Sequence, residues 1–119
     1  MPTEARARRV ADRIREELSE ILLREVDDPR LAMVTVTDVE VDRELATATV
    51  YLTTFEPKRK QEVLAGFRHA RGFLRSALAA RIPLRSFPQL RFAYDSSVEH
   101  GARIESLLSQ LKREGRRDN

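Results

Sequence analysis

The chain has 119 residues, of which 41% are hydrophobic and 34% charged, and its formal net charge is +3. This length and apolar content are typical of one globular domain with a single core, and they exclude a disordered chain. There is no cysteine for disulfides or thiolate chemistry and no apolar run long enough to span a membrane, so we expect a cytoplasmic protein without a signal peptide.

Residues 4–26 are predicted to form the first helix, because apolar side chains recur along them at three- and four-residue spacing. Thr3 and Glu4 suit the start of this helix. Pro29 is expected to end it, since the residue before a proline is pushed out of the helical region.

A β-hairpin is predicted over residues 33–42 and 45–54, which are rich in valine and threonine and alternate in polarity. In the first strand the apolar parity changes between Val36 and Val39. A strand that keeps one face buried needs an extra residue at such a point, so we predict a β-bulge near residues 37–38.

Residues 57–82 carry a continuous helical pattern, but one helix of that length would be long for so small a domain. Gly72 costs about 1 kcal/mol relative to alanine inside a helix, so we predict two helices, 57–70 and 72–82. Their apolar stripe comprises Val63, Leu64, Phe67, Ala70, Phe73, Leu74, Ala77, Leu78 and Ile82.

The remaining sequence predicts a third strand over residues 89–94 and a last helix that begins with a capping box of Ser96 and Glu99. The whole order predicts a two-layer α+β domain, with a three-stranded sheet packed against helices. We expect one domain over residues 1–112 and a short charged tail over residues 113–119.

Charge is segregated along the chain. Residues 1–56 carry 8 basic and 13 acidic side chains, whereas residues 57–92 carry 9 basic and 1 acidic. An ordinary solvated helix mixes the two signs to gain ion pairs, so this basic block indicates a polyanionic partner. The hairpin has an acidic side that comprises Asp38, Glu40, Asp42 and Glu44. A nucleic acid should avoid that side.

The helix break at Ala70, Arg71 and Gly72 is the candidate contact with nucleic acid. A second helix N-terminus offers free N–H groups, glycine allows close approach, and arginines flank both. The candidate RNA-binding residues are Lys58, Arg59, Lys60, Arg68, Ala70, Arg71, Gly72, Arg75, Arg81 and Arg85. The alternative is that Gly72 only lets two helices bend around a core while the arginines are solvated.

Catalysis has little support. His69 and His100 do not have the spacing of metal ligands, and no glycine-rich phosphate loop follows a strand. We therefore expect no catalytic residues, no metal and no cofactor. His69 lies beside the kink and could contact a partner, but we expect it to be an ordinary histidine on the helix surface.

The order of elements is that of the type II KH domain, a nucleic-acid-binding fold whose usual signature is a GXXG loop between its central helices. Here an alanine-any-glycine kink replaces that loop. The motifs around the kink are Asp-Pro-Arg-Leu at 28–31, Val-Thr-Val-Thr-Asp-Val-Glu-Val at 34–41, Ala-Thr-Val-Tyr-Leu at 48–52, Leu-Arg-Phe at 90–92, Asp-Ser-Ser at 95–97, and Gly-Ala-Arg-Ile at 101–104 leading to Leu107 and Leu108. With these motifs, the chain resembles the bacterial ribosome-binding factor A family over residues 4–111.

The resemblance implies a non-catalytic, monomeric assembly factor that binds the free 30S ribosomal subunit and contacts 16S rRNA in its neck region. It also implies a role in late 30S maturation and 16S rRNA 5′-end processing, above all in the cold, with release by a ribosome-associated GTPase. Only Ala70, Arg71 and Gly72 carry over as family contacts. Two alternatives are a generic KH-like module for single-stranded RNA or DNA, and a protein-interaction domain whose hairpin edge recruits a strand.

Overall fold

The computed structural model describes residues 3–96. Its helices and strands follow the order α1 (Glu4–Arg24), β1 (Val34–Val41), β2 (Thr47–Thr54), α2 (Lys60–His69), α3 (Arg71–Arg81) and β3 (Gln89–Tyr94). Short 3-10 turns, Pro29–Leu31 and Pro57–Arg59, precede β1 and α2. The predicted α+β order is confirmed. The expected C-terminal helix, its cap at Glu99 and the tail at 113–119 lie outside the described residues.

The first helix begins where its capping residue predicts. The Thr3 hydroxyl accepts a hydrogen bond from the Arg6 backbone N–H at 3.1 Å. The helix ends at Arg24, before the predicted end at residue 26, because the chain turns there to bury Leu31 in the core. No helix within residues 3–96 combines the length and apolar character that crossing a membrane requires.

The sheet has the strand order β1-β2-β3, in which β1 is antiparallel to β2 and β3 is parallel to it. The parallel pair needs a crossover, which α2 and α3 provide. The register between β1 and β2 shifts between Val36 and Asp38, which confirms the predicted bulge. Val36 and Val39 are therefore both buried, and the hydroxyl of the bulged Thr37 donates to the Asp95 carboxylate at 2.6 Å.

One continuous core joins the three helices to the sheet. The largest fully buried side chains of the domain are Ile14, Leu18, Ile21, Val50, Leu52, Val63, Phe67, Leu74, Leu78, Pro88 and Leu90. The rings of Phe67 on α2 and Phe92 on β3 lie 5.2 Å apart and are tilted by 48°. One member of the predicted apolar stripe is not buried, since Phe73 is 52% exposed.

The break between α2 and α3 falls at Ala70, within the predicted kink of Ala70, Arg71 and Gly72. The helix boundaries beside it differ by one residue from the predicted 57–70 and 72–82. Ala70 has φ −85° and ψ 2°, its N–H donates to the Gly66 carbonyl, and its carbonyl accepts from the Leu74 N–H. Gly72 lies inside the first turn of α3 and has no positive φ. Helix propensity favoured a break at the glycine, whereas the structure places Gly72 within α3.

The two glycines of this region have opposite surroundings. A Cβ on Gly66 would lie 2.9 Å from the Arg30 Cβ and 3.0 Å from a Leu31 methyl, because α2 packs closely on the Pro29–Leu31 turn. A Cβ on Gly72 would meet nothing within 4 Å. The fold therefore requires a glycine at position 66 and does not require one at position 72.

We predict that Gly66→Ala and Gly72→Ala change stability in opposite directions. Gly72→Ala should stabilise by up to about 1 kcal/mol through helix propensity. Gly66→Ala gains the same propensity but overpacks the turn, and should destabilise by a net of about 1 kcal/mol. Urea unfolding of both variants beside the parent chain measures this. Equal stability of the two variants would contradict the close packing described at Gly66.

Candidate nucleic-acid interface

The strand order separates acidic from basic surface. β1 forms one edge of the sheet and carries Asp38 and Glu40. The Tyr51 hydroxyl donates to the Glu40 carboxylate at 3.1 Å, and this hydrogen bond raises the pKa of Tyr51. β3 forms the other edge, beside the helix pair that holds most of the basic block. The basic side of the molecule is thus the side of α2, α3 and β3.

The helix break gives α3 an open N-terminus. No side chain caps it, since the residue at the capping position is Ala70. The first N–H groups of a helix have no intrahelical acceptor and carry a partial positive charge. Next to them, Gly72 is exposed and has open space where a Cβ would point. An anionic group could approach the backbone here more closely than at any residue with a side chain.

Two cations of the helix pair stand over aromatic rings of β3. The Arg71 guanidinium carbon lies 5.8 Å from the centroid of the Phe92 ring, and the Lys60 Nζ lies 5.4 Å from that of Tyr94. Such cation–π contacts hold a cation in place without neutralising its charge. Arg71 and Lys60 are exposed, so both remain available to an anionic partner.

Three further candidates are exposed basic residues: Lys58 before α2, Arg68 in its last turn and Arg85 in the loop after α3. Within residues 3–96 none of them forms an ion pair or hydrogen bond through its side chain. Arg68 and Arg71 lie on either side of the break. Together with the open backbone at Gly72, they make the short segment from 68 to 72 the most favourable place for a phosphate.

Arg59 has a structural role instead. Its guanidinium donates to the carbonyls of Pro29, Arg30 and Ala32 at 3.2–3.4 Å, and it lies 3.7 Å from the Glu62 carboxylate. Its side chain is only 19% exposed. It ties the start of α2 to the turn before β1, and most of its donors are already in use.

The turn that Arg59 contacts is also stabilised by an ion pair between two of its own residues. Asp28 accepts from the Arg30 backbone N–H at 2.9 Å and pairs with the Arg30 guanidinium at 2.8 Å. These hydrogen bonds from Arg30 lower the pKa of Asp28 and raise that of Arg30. The Asp-Pro-Arg-Leu motif therefore builds a rigid turn against α2.

Arg75 and Arg81 also bind within the chain. Arg75 donates to the carbonyls of Phe87 and Pro88 at 2.6 and 3.1 Å and so holds the loop before β3. Arg81 lies 3.4 Å from Glu17 and 2.7 Å from Glu25, which joins the end of α3 to α1. Of the ten predicted residues, Lys60 and Arg71 lie over rings of β3 and Arg68 lies just before the break. Arg59, Arg75 and Arg81 bind carbonyls or carboxylates within the chain instead.

One exposed residue of this region was missed by the sequence analysis. Phe73 follows Gly72 directly and is half exposed, although its spacing placed it in the buried stripe. Its position five residues after Arg68 in a basic segment was the available signal, because an aromatic side chain among cations is typical of base-stacking surfaces. Among residues 3–96, no group of three or more histidine, cysteine or carboxylate side chains is placed to hold a metal ion.

A mixed three-stranded sheet with a broken helix pair crossing between its parallel strands defines a KH-like domain, a class of nucleic-acid-binding fold. The family model described as ribosome-binding factor A matches residues 6–108. The chain belongs to the ribosome-binding factor A family.

Solved structures agree with this assignment. The crystal structure of ribosome-binding factor A from Thermus thermophilus is 26% identical, with a TM-score of 0.68, and the match covers 74% of this chain and 93% of that one. A Thermotoga maritima protein described as a candidate ribosome-binding factor A is 29% identical, with a TM-score of 0.67 and coverage of 78% and 90%. A Thermus thermophilus ribosome-binding factor A model fitted into a cryo-EM map of a 30S complex is 27% identical, with a TM-score of 0.62 and coverage of 72% and 91%.

We predict that Arg59→Ala destabilises the domain by about 1–3 kcal/mol, because three backbone carbonyls lose a charged donor. Lys58→Ala is the matched control, since Lys58 is an exposed neighbour in the same 3-10 turn, and it should change stability by less than about 0.5 kcal/mol. Thermal unfolding of the two variants measures the difference. Similar melting temperatures would show that Arg59 does not hold the turn.

Proposed function

We propose that this chain is a non-catalytic assembly factor that binds the free 30S subunit through 16S rRNA. The observation that carries the proposal is the α2–α3 break, where an uncapped helix N-terminus, the open Gly72 and two exposed arginines lie within five residues. Backbone donors, cations and room for close approach are what an RNA phosphate requires. Membership of the ribosome-binding factor A family supports the ribosomal context, and the 30S complex of the Thermus protein supports the choice of subunit.

We further propose that binding occurs at the neck of 16S rRNA and supports late 30S maturation and 5′-end processing, chiefly in the cold. A ribosome-associated GTPase then releases the protein, which acts as a cytoplasmic monomer. Neither a metal nor a cofactor is needed for this role. A protein that binds one rRNA conformation more tightly than others shifts the population toward it, and other factors carry out the processing.

The exposed Phe73 favours a second candidate function, a general module for single-stranded RNA or DNA. An aromatic ring beside a cationic backbone site can stack on an unpaired base of any sequence. The two functions differ in selectivity. A general module binds short oligonucleotides about as tightly as the subunit, whereas an assembly factor strongly prefers the free subunit.

The test combines sedimentation with footprinting. The chain should pellet with free 30S subunits, pellet little with assembled ribosomes, and protect 16S rRNA near the neck. Short single-stranded oligonucleotides should compete poorly. Equal binding to free subunits and assembled ribosomes, or efficient competition by oligonucleotides, would count against the assembly factor.

We predict that Arg68→Ala and Arg71→Ala each weaken 30S binding and reduce the salt dependence of log K by about 1, the effect of losing one phosphate contact. Arg43→Ala is the control, because Arg43 is an exposed arginine in the hairpin turn on the acidic side. Fluorescence titration at several salt concentrations gives the slopes. An unchanged slope for Arg71→Ala would move the phosphate contact away from the break.

We predict that Gly72→Leu leaves the fold intact and weakens 30S binding by about tenfold, since a leucine side chain would fill the open space above the backbone (about 1.4 kcal/mol). Gly72→Ala should weaken it less. Leucine is a good helix former, so stability should not fall. Circular dichroism and the binding titration separate the two effects, and full affinity of the leucine variant would show that no partner approaches at Gly72.

A further inference from the structure

A second surface lies along the β1 edge of the sheet, opposite the β3 edge. The last turns of α1, the 3-10 turn and the start of β1 enclose a largely apolar groove. Its apolar lining residues include Leu22, Leu23, Val26, Met33 and Val34. Leu23 is 79% exposed and Met33 is 71% exposed, so the core does not use these two side chains.

The backbone at Met33 also points to a role beyond folding. Met33 has φ 61°, in the left-handed region that favours glycine. A residue with a side chain is unfavourable there, and in this case the side chain gains no burial in return. Folding alone would be served better by glycine. An exposed methionine held in this conformation is therefore explained more simply by a contact with a partner.

A third exposed apolar side chain lies at the same end of the hairpin. Val34 pairs with Thr54, so Phe55 follows β2 where Met33 precedes β1. Phe55 is 87% exposed. Three of the four large apolar side chains that the described part of the chain leaves exposed thus belong to one end of the molecule.

The groove runs beside an open strand edge. Among residues 3–96 no strand pairs with the outer side of β1. Val34, Thr35 and Val36 line the groove and precede the bulge at Thr37, so this short stretch of edge is regular. A helix beside a free strand edge is the arrangement in which an extended peptide adds as a further strand, with its side chains in the neighbouring groove.

The charge of the groove selects the occupant. Its only charged lining residues are Asp27 and Asp28, and no basic residue lines it. Asp28 is paired with Arg30, whereas Asp27 is exposed and has no ion pair within residues 3–96. A nucleic acid would be repelled here. An apolar segment that carries lysine or arginine would be attracted, and its charge would meet Asp27.

We propose that this groove binds an extended, basic segment of a protein of the small ribosomal subunit, which pairs with β1 at Val34–Val36 and buries its apolar side chains against Leu23 and Met33. The proposal rests on the proposed binding of the free subunit and adds a protein contact at the β1 edge. A second copy of this chain and the rRNA itself are outcomes that the test distinguishes.

The test places the photo-crosslinker p-benzoylphenylalanine at position 23 or, as a control, at position 5, since Leu23 and Ala5 are both exposed on α1. Each protein is bound to purified free 30S subunits, irradiated and analysed by mass spectrometry. We expect position 23 to crosslink a single ribosomal protein that position 5 does not. The proposal would be overturned if a protein that pellets with the subunit crosslinked only to rRNA, only to a second copy, or not at all. Failure to pellet would remove the proposed function as well.

Two variants separate binding from folding. Leu23→Glu should weaken 30S binding at least about fivefold, as loss of a buried interface anchor does, whereas the charge-matched Ala5→Glu should not. Met33→Gly should keep or raise the melting temperature, because glycine suits its φ, and should also weaken binding. Hydrogen exchange should slow at residues 33–37 in the complex but not in the hairpin turn. Full affinity of both groove variants, or unchanged exchange at 33–37, would refute strand addition.

Discussion

The packing of α2 against the Pro29–Leu31 turn is the constraint on which the arrangement of the basic side depends. Gly66 allows the two to touch, Arg59 donates to three carbonyls of the turn region, and the Asp28–Arg30 pair holds the turn in shape. Both ends of α2 are thereby fixed, one through Arg59 and the other through Gly66. The break at Ala70 thus follows an anchored helix, and no glycine of the described residues has a positive φ there.

Anchoring α2 also explains how the arginines of one basic block come to serve different purposes. α3 begins at the break and must bring Leu74 and Leu78 to the same core as Phe67, which directs Arg75 toward the loop before β3 and Arg81 toward α1. Arg71 rests on the Phe92 ring. Within residues 3–96, the side chains of Arg68 and Arg71 beside the break form no hydrogen bond or ion pair. Those of Arg75 and Arg81, farther along α3, bind the loop before β3 and the end of α1. The basic block of this sequence is therefore partly exposed charge and partly a set of hydrogen bonds and ion pairs within the chain.

Much of the fold was predictable from the local pattern of apolar residues in the sequence. Periodicity located all three described helices and all three strands, and the parity change between Val36 and Val39 located the bulge, because a buried face imposes a strict alternation. Other features depend on contacts between distant residues. α3 begins one residue earlier than predicted, Phe73 is exposed and not part of the core, and Arg59 donates to carbonyls about thirty positions away. Spacing along one helix cannot report what lies opposite it, so the sequence defined the basic region but not which of its side chains are free.

The chemistry of the two sheet edges also depends on contacts between distant parts of the chain. Parallel pairing of β3 with β2 requires the helical crossover, which brings the basic helices to the β3 edge and leaves β1 as the other edge beside α1. The β1 edge is acidic at one end and apolar at the other, and neither end suits a phosphate backbone. Topology therefore gives so small a domain two edges of different chemistry. The two proposed contacts use both edges, since a domain that touches RNA at one edge and protein at the other would select places where the two lie side by side.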